Sequence, residues 1–476
     1  MKRFDYPTEI LEVKINHLND KGHGVARYRH APDRGSMGKA LTLTIPNTVP
    51  GDLVRVKVPN AKGRRAAHLN SYELLKASPN RDLTNPLKES IAGGTPLQYM
   101  KYSAQLEVKE NIVKDNLKKE NFDTSLVHPI IGLKNPNHYR NKMEFTFGPN
   151  GELGMHEQGN FKNIIDLDDS IIAPVVMIAI KKAVQEWQKE HNFKGYNKET
   201  KEGLLRQLVV RESAATGEIM VALFATESAS HFKNAAENLV KDLSEKFENL
   251  KSLLWITSTD ISDQPSLEEK ELLFGKEYIM EELNGFEYEI YLETFFQANS
   301  GQAAIMVETA LNMAEVHPEM RVVELFCGIG TFSLPFAKQV KELIGIEYVE
   351  QSIHSAKENA KKAGLDNTDF FASDARKGLE KLKETWETPD LLLINPPRGG
   401  AGGKLMRSIG RYGSDKIVYV SCNPKTLADD LKWLRDFGYE LKSVQPIDQF
   451  GHTIHVESVV LLTKTKASRM TCQTTH

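Results

Sequence analysis

Between residues 301 and 466 short apolar runs alternate with longer helical stretches. The runs are Val322–Phe326, Leu343–Ile346, Leu391–Ile394, Ile417–Val420 and Ser458–Leu462. This is the βαβ rhythm of a mostly parallel sheet covered on both faces by helices. Sheets of that kind bind ligands in the crevice outside the carboxyl ends of their strands. The residues that close each apolar run are therefore the first candidates for chemistry.

The run Val322–Phe326 leads into Cys327-Gly328-Ile329-Gly330-Thr331 and then an apolar helix over Phe332–Ala337. Glycines after a strand let the chain turn sharply and bring backbone N–H groups against a ligand. Gly-x-Gly alone also fits any tight strand-to-helix turn. Glu347 closes the next run, where an acid would reach ribose hydroxyls in a mononucleotide-binding half. Ser333 stands where a dinucleotide fingerprint needs its third glycine, which disfavours a nicotinamide or flavin cofactor. Asp374 follows the Phe370-Phe371 run and Asn395 ends Leu391–Ile394. Taken singly, the alternative for any one of these acids is a helix cap or turn residue, a reading that weakens for the set as a whole.

Cys422 follows the Ile417–Val420 run and precedes Asn423-Pro424-Lys425, with Pro424 suited to the first position of a helix. A thiol there would face unpaired backbone donors and the positive end of a helix dipole, which favour thiolate. The competing reading is a small buried hydrophobe, which fits Cys327 better. Cys472 lies in the tail and takes no role. Glu457 stands just ahead of the last apolar run, in the same layer as Cys422 if the sheet is built as read, and is the candidate base. An exposed strand charge is the alternative. His452 and His455 have no metal-ligand partner at diagnostic spacing.

The chain has 476 residues, 40% of them apolar and 26% charged, the balance of a soluble globular protein of about two to four domains. No run approaches the roughly 18 apolar residues of a membrane span. The polar start gives no signal peptide, and three cysteines suit a reducing cytoplasm. Residues 8–75 alternate apolar and polar in short runs (Ile10–Ile15, Leu41–Pro46, Leu53–Val58) bounded by turn residues, the pattern of a small all-β barrel. The turn Lys21–Gly24 and the loop Asn60–Arg65 carry cationic and flexible residues. Residues 1–75 hold 13 Lys+Arg against 7 Asp+Glu, a formal +6 within a chain of −3, which leaves −9 on the remainder. A basic first module on an acidic body suggests contact with phosphate; a solvated surface is the competing reading. Residues 76–300 comprise a Pro- and Gly-containing connector and an α+β domain, with helices over Tyr102–Leu117, Val175–His191 and His231–Phe247. The tail, 467–476, reads as disordered.

Five motifs carry a resemblance across nearly the whole chain: Phe295-Phe296-Gln297-Ala298-Asn299, Glu324 to Thr331, Asn395-Pro396-Pro397-Arg398-Gly399, Ser421-Cys422-Asn423-Pro424 and His455-Val456-Glu457. In this order they resemble the RNA uracil-5-methyltransferase family. Tyr139 to Phe145 also matches a family pattern, and the first 75 residues resemble its RNA-binding TRAM module. The resemblance implies an α/β fold: a Rossmann-like class I methyltransferase domain at 301–466, an N-terminal TRAM/OB-like barrel at 8–75 and a central α+β RNA-recognition domain. It implies S-adenosylmethionine (AdoMet) as methyl donor, with Gln297, Phe326, Thr331, Glu347, Asp374 and Asn395 lining its pocket. Cys422 would be the nucleophile, Glu457 the proton acceptor, and Arg398 a neighbour of the target uracil or the thiol; a surface ion pair is the alternative for Arg398. The partner would be structured RNA, large-subunit (23S) rRNA ahead of tRNA, and the enzyme a cytoplasmic monomer.

Two departures stand out. Many relatives hold an iron–sulfur cluster with four cysteines, three of them in the connector; Pro86 to Pro96 contains none here, so no cluster and no metal are expected. Many also have Asp where this chain has Asn395, which keeps an acceptor but removes a charge. The rival readings are a tRNA enzyme, an amino-group methyltransferase, which resembles Asn395-Pro396-Pro397 but usually follows it with an aromatic residue, and a non-catalytic RNA-binding assembly factor.

Overall fold

A computed structural model describes residues 8–29, 40–59, 65–84, 88–260 and 266–465. The expectations for most of the loop Asn60–Arg65, for Pro86 and for the tail with Cys472 lie outside these residues.

The first seven strands are β1 (Glu9–Lys14), β2 (His17–Leu18), β3 (Gly24–Arg29), β4 (Ala40–Ile45), β5 (Leu53–Val58), β6 (Ala66–His68) and β7 (Glu73–Lys76). They form two small sheets, ordered β1-β5-β7 and β2-β3-β4-β6. Successive strand residues point to opposite faces, so the alternating sequence buries one side of each sheet. Leu11, Val13, Leu41, Leu43, Ile45, Val54, Val56 and Val58 meet in one shared core. Buried Asp52 fastens this module to the connector through Arg81, at 2.6 Å. In the Lys21–Gly24 turn, Lys21 is exposed, but His23 turns inward and bonds Gln158 at 3.1 Å.

Helix α1 (Tyr102–Lys119) precedes a third, central sheet, built from β8 (Lys142–Phe147), β9 (Leu153–Glu157), β10 (Asn160–Asp166), β11 (Leu205–Glu212), β12 (Ile219–Ala225), β13 (Leu250–Thr257) and β14 (Glu269–Gly275). Its order is β10-β9-β8-β11-β12-β13-β14. Helices α2 (Val175–Glu190) and α3 (Lys233–Lys246) cover one face, packing on Phe145, Val221, Leu223 and Trp255. The alternate residues Met220, Ala222 and Phe224 face the C-terminal half, through the hairpin β15 (Tyr278–Leu283) and β16 (Phe286–Tyr291). A sheet covered on both faces explains why β12 is apolar at every position.

The C-terminal half contains α4 (Ser300–Ala314), β17 (Arg321–Leu325), α5 (Ser333–Ala337), β18 (Glu342–Glu347), α6 (Glu350–Lys362), β19 (Thr368–Ala372), α7 (Ala375–Thr385), β20 (Leu391–Ile394), α8 (Gly402–Tyr412), β21 (Lys416–Ser421), α9 (Pro424–Leu431), β22 (Tyr439–Ile447) and β23 (Glu457–Lys464). Its sheet order is β19-β18-β17-β20-β21-β23-β22. The first five strands are parallel, and β23 runs antiparallel between β21 and β22. Each run read from the sequence is a strand here. Helix α1 buries Val113 and Leu117 in the core of this half, beside Leu427 and Leu431.

Candidate active site

The glycine loop turns where β17 ends. Phe326, Gly328 and Gly330 take φ of 64°, 54° and 91°, the left-handed region that costs a non-glycine residue strain. A Cβ on Gly330 would meet Leu334 at 2.6 Å, whereas one on Gly328 would meet nothing within 4 Å. The loop therefore packs on its own helix behind and borders open space in front. Glu347, at the end of β18, accepts from Gly328 N at 3.2 Å, Tyr348 N at 2.8 Å and Val349 N at 3.1 Å, clamping the two loops together. Asn395 follows β20 and its N donates to Leu325 O at 3.3 Å. Asp374 caps α7 by accepting from Lys377 N at 3.1 Å, so the helix-cap reading holds for one of its oxygens. Phe326, Thr331, Glu347, Asp374 and Asn395 thus lie along the carboxyl ends of four neighbouring strands. Gln297 arrives from another direction, just ahead of α4. Its carbonyl accepts from Asn141 at 2.8 Å and its side-chain oxygen from Gln449 at 3.3 Å.

Cys422 and Glu457 meet through strand register. Ser421, the last residue of β21, pairs with Ser458 of β23, which sets Cys422, just after β21, beside Glu457, the first residue of β23. Cys422 is half-buried and Glu457 buried. Burial pushes the Glu457 carboxyl up to about 8. Burial and the neighbouring Glu457 push the Cys422 thiol up to about 11, against a smaller opposing pull from Arg398. This corrects the expectation of a ready thiolate. Two backbone donors at the start of α9 are already taken: Asn423 N donates to Ser421 Oγ and Lys425 N to the Asn423 side chain, each at 3.1 Å. Arg398 is held over the site by its carbonyl, which accepts from Asn423 Nδ2 at 3.1 Å.

What holds the 448–457 segment was not foreseeable from the chain. Lys109 of α1, fully buried, donates to Asp448 at 2.6 Å and to Phe450 O at 2.8 Å. Tyr102 donates to the other Asp448 oxygen at 2.8 Å. His452 is gripped between Gln105 at 3.1 Å and Asn137 at 2.7 Å. Tyr139, in the Tyr139–Phe145 motif, donates to Gly451 O at 2.9 Å. A lysine in a charged helix reads as solvated surface, so no periodicity could reveal this pair. The burial of Glu324, which opens the Glu324 to Thr331 motif, was likewise not legible. Its carboxyl accepts from Ser333 Oγ, and burial raises it to about 8. Phe295, beside Gln297, is 74% exposed, and an exposed ring there offers a stacking face to a base. Among the described residues no cluster of three or more His, Cys, Asp or Glu could hold a metal ion.

The profile of the family described as tRNA (Uracil-5-)-methyltransferase matches residues 101–465. The chain belongs to this family. An uncharacterized RNA methyltransferase of Caldanaerobacter subterraneus is 34% identical over 96% of this chain and 99% of its own length. Another, from Halalkalibacterium halodurans, is 33% identical over 95% and 97%. Among solved structures, the tRNA (uracil-54, C5)-methyltransferase of Pyrococcus abyssi in complex with S-adenosyl-L-homocysteine is similar throughout. It has a TM-score of 0.73 and 26% identity, covering 95% of this chain and all of that one. The chain is an AdoMet-dependent RNA (uracil-5-)-methyltransferase. Its residues fit the donor: the open front of Gly328 leaves room for a ligand close to the backbone, and the methyltransferase presents Glu347 at the next strand end.

Proposed function

We propose that this methyltransferase modifies C5 of a specific uridine in large-subunit rRNA through a covalent adduct on Cys422, with the cofactor pocket formed by Gln297, Phe326, Thr331, Glu347, Asp374 and Asn395. The observation that carries the mechanism is the Ser421–Ser458 register, which brings one thiol and one buried carboxyl together where β21 ends and β23 begins. C5 of uracil is a poor nucleophile. Addition of the Cys422 sulfur to C6 moves the ring π electrons toward C5 and O4 and makes C5 nucleophilic. AdoMet, when bound, would supply the electrophilic methyl that C5 takes, its S–CH3 bond breaking and its sulfur leaving as the neutral thioether S-adenosylhomocysteine. C5 then carries both a hydrogen and a methyl group. Glu457 removes that hydrogen as a proton, the C5–C6 double bond re-forms, and the sulfur leaves.

At neutral pH Glu457 is mostly protonated and Cys422 is a thiol, so both must lose a proton for turnover. Methylation should therefore accelerate as pH rises from 6 through about 8, where Glu457 ionises, and continue upward more gently as thiolate accumulates. A rate that is flat or falling over that range contradicts these roles.

The basic N-terminal module, which resembles TRAM, supports a large structured RNA as substrate. Phosphate contacts there would offset the few kcal/mol needed to unstack the target base. The Pyrococcus abyssi relative acts on tRNA uracil 54, which favours tRNA as the second reading. Mapping 5-methyluridine in rRNA and tRNA from cells with and without the gene separates them. Loss of one 23S position supports the first reading, and loss confined to tRNA replaces it with the second.

A further inference from the structure

His455 stands two residues before Glu457 and takes no part in the chemistry above. Arg398 Nη2 lies 3.3 Å from its Nδ1. A guanidinium only donates hydrogen bonds, so Nδ1 must be the bare, accepting nitrogen and Nε2 must carry the proton. The Phe450 ring packs edge-on against the imidazole, with centroids 6.4 Å apart at 85°, and the His455 N–H is tied to Thr453 Oγ1 at 3.2 Å. Nε2 has no protein partner among the described residues. The result is a neutral ring of fixed tautomer, with one unused N–H donor next to the residue that acts at C5. Burial, and the cations Arg398, Lys109 and Arg140 facing the ring, hold its pKa near 4, so it does not act as an imidazolium acid.

We propose that His455 donates its Nε2–H to the O4 carbonyl of the target uracil and thereby selects uracil against cytosine. C5 is flanked by C6, which takes the Cys422 sulfur, and by C4, so the His455 donor, two residues before Glu457, is assigned to the carbonyl of the remaining neighbour, O4. When the Cys422 S–C6 bond forms, the displaced electron pair puts negative charge on O4, and the Nε2–H stabilises it without transferring its proton. Cytosine presents an amino group at that position, which sets donor against donor. Arg398 is the positioning residue that fixes the tautomer.

The proposal rests on the covalent reading above, and its test separates the two. The rate of adduct formation is measured with transcripts of the mapped target carrying 5-fluorouridine or 5-fluorocytidine, for wild type, His455→Leu and His455→Gln. His455→Leu should slow the 5-fluorouridine adduct by about 100-fold while leaving RNA affinity within about twofold. His455→Gln, whose amide nitrogen reaches the place of Nε2, should recover most of the rate. Because that amide can also turn its oxygen to the base, it should begin to form adduct with 5-fluorocytidine RNA, which wild type refuses. A wild-type rate in His455→Leu, or equal loss in both variants, overturns the proposal. If His455→Leu does not fold, His455→Gln still decides: unchanged refusal of 5-fluorocytidine RNA overturns the selectivity. Absence of any wild-type adduct from an active enzyme instead overturns the Cys422 mechanism.

Discussion

The buried carboxyl of Glu457 links stability to catalysis. In the unfolded chain it ionises near pH 4, whereas folded it stays protonated to about 8. The folded state thus binds an extra proton between these values, and stability falls as pH rises through that window. Glu457→Gln removes this dependence. It should be more stable than wild type at pH 8, by on the order of a few kcal/mol, with the difference fading toward pH 4 in thermal melts. The same variant should form the RNA adduct but fail to release it. A variant no more stable at pH 8 than at pH 4, relative to wild type, contradicts the burial argument. At this scale the sequence was informative about position and misleading about protonation. Cys422 and the strand-end acids lie after apolar runs, and Glu457 lies ahead of one, as the sequence placed them. The thiol's pKa depends on Glu457 and on which backbone donors Asn423 and Ser421 consume, and no linear spacing encodes either.

Among the elements, the strands of the C-terminal sheet were legible because each is a short apolar run between helices, and Pro424 marked the start of α9. What was not legible is how α1 is used. Its apolar positions announce a helix, but nothing in them says that it crosses to the C-terminal half or that Lys109 is buried. The Lys109–Asp448 pair pins the segment that carries Phe450, His452 and His455. Removing one partner of a buried ion pair leaves the other charge uncompensated, which costs about 3–5 kcal/mol. Lys109→Met should therefore lower stability by that amount in chemical denaturation and depress methylation further than AdoMet affinity. Adding Asp448→Leu should return much of the stability without the activity. A Lys109→Met enzyme with wild-type stability and turnover would mean that α1 does not position the site.

For the molecule as a whole, the charge asymmetry in the sequence suggests that the first module meets RNA, and the structure shows how that module is joined to the connector. Exposed Arg27 and Arg29 lie on β3, while Asp52 ties the module to Arg81 in the connector. Arg27→Gln with Arg29→Gln should weaken RNA binding and reduce its salt slope by about one for each phosphate no longer neutralised, with AdoMet affinity unchanged in calorimetry. Equal loss of both affinities would make the module a structural part of the core. Everything depends on the bond between Cys422 and the pyrimidine, and the mass of the intact protein–RNA complex tests it most directly. Wild-type enzyme, AdoMet and 5-fluorouridine RNA should give one species whose mass is protein plus methylated RNA, joined at the Cys422 peptide and missing in Cys422→Ala. Methylated uridine produced by Cys422→Ala, or a trapped complex joined at any other residue, would contradict it.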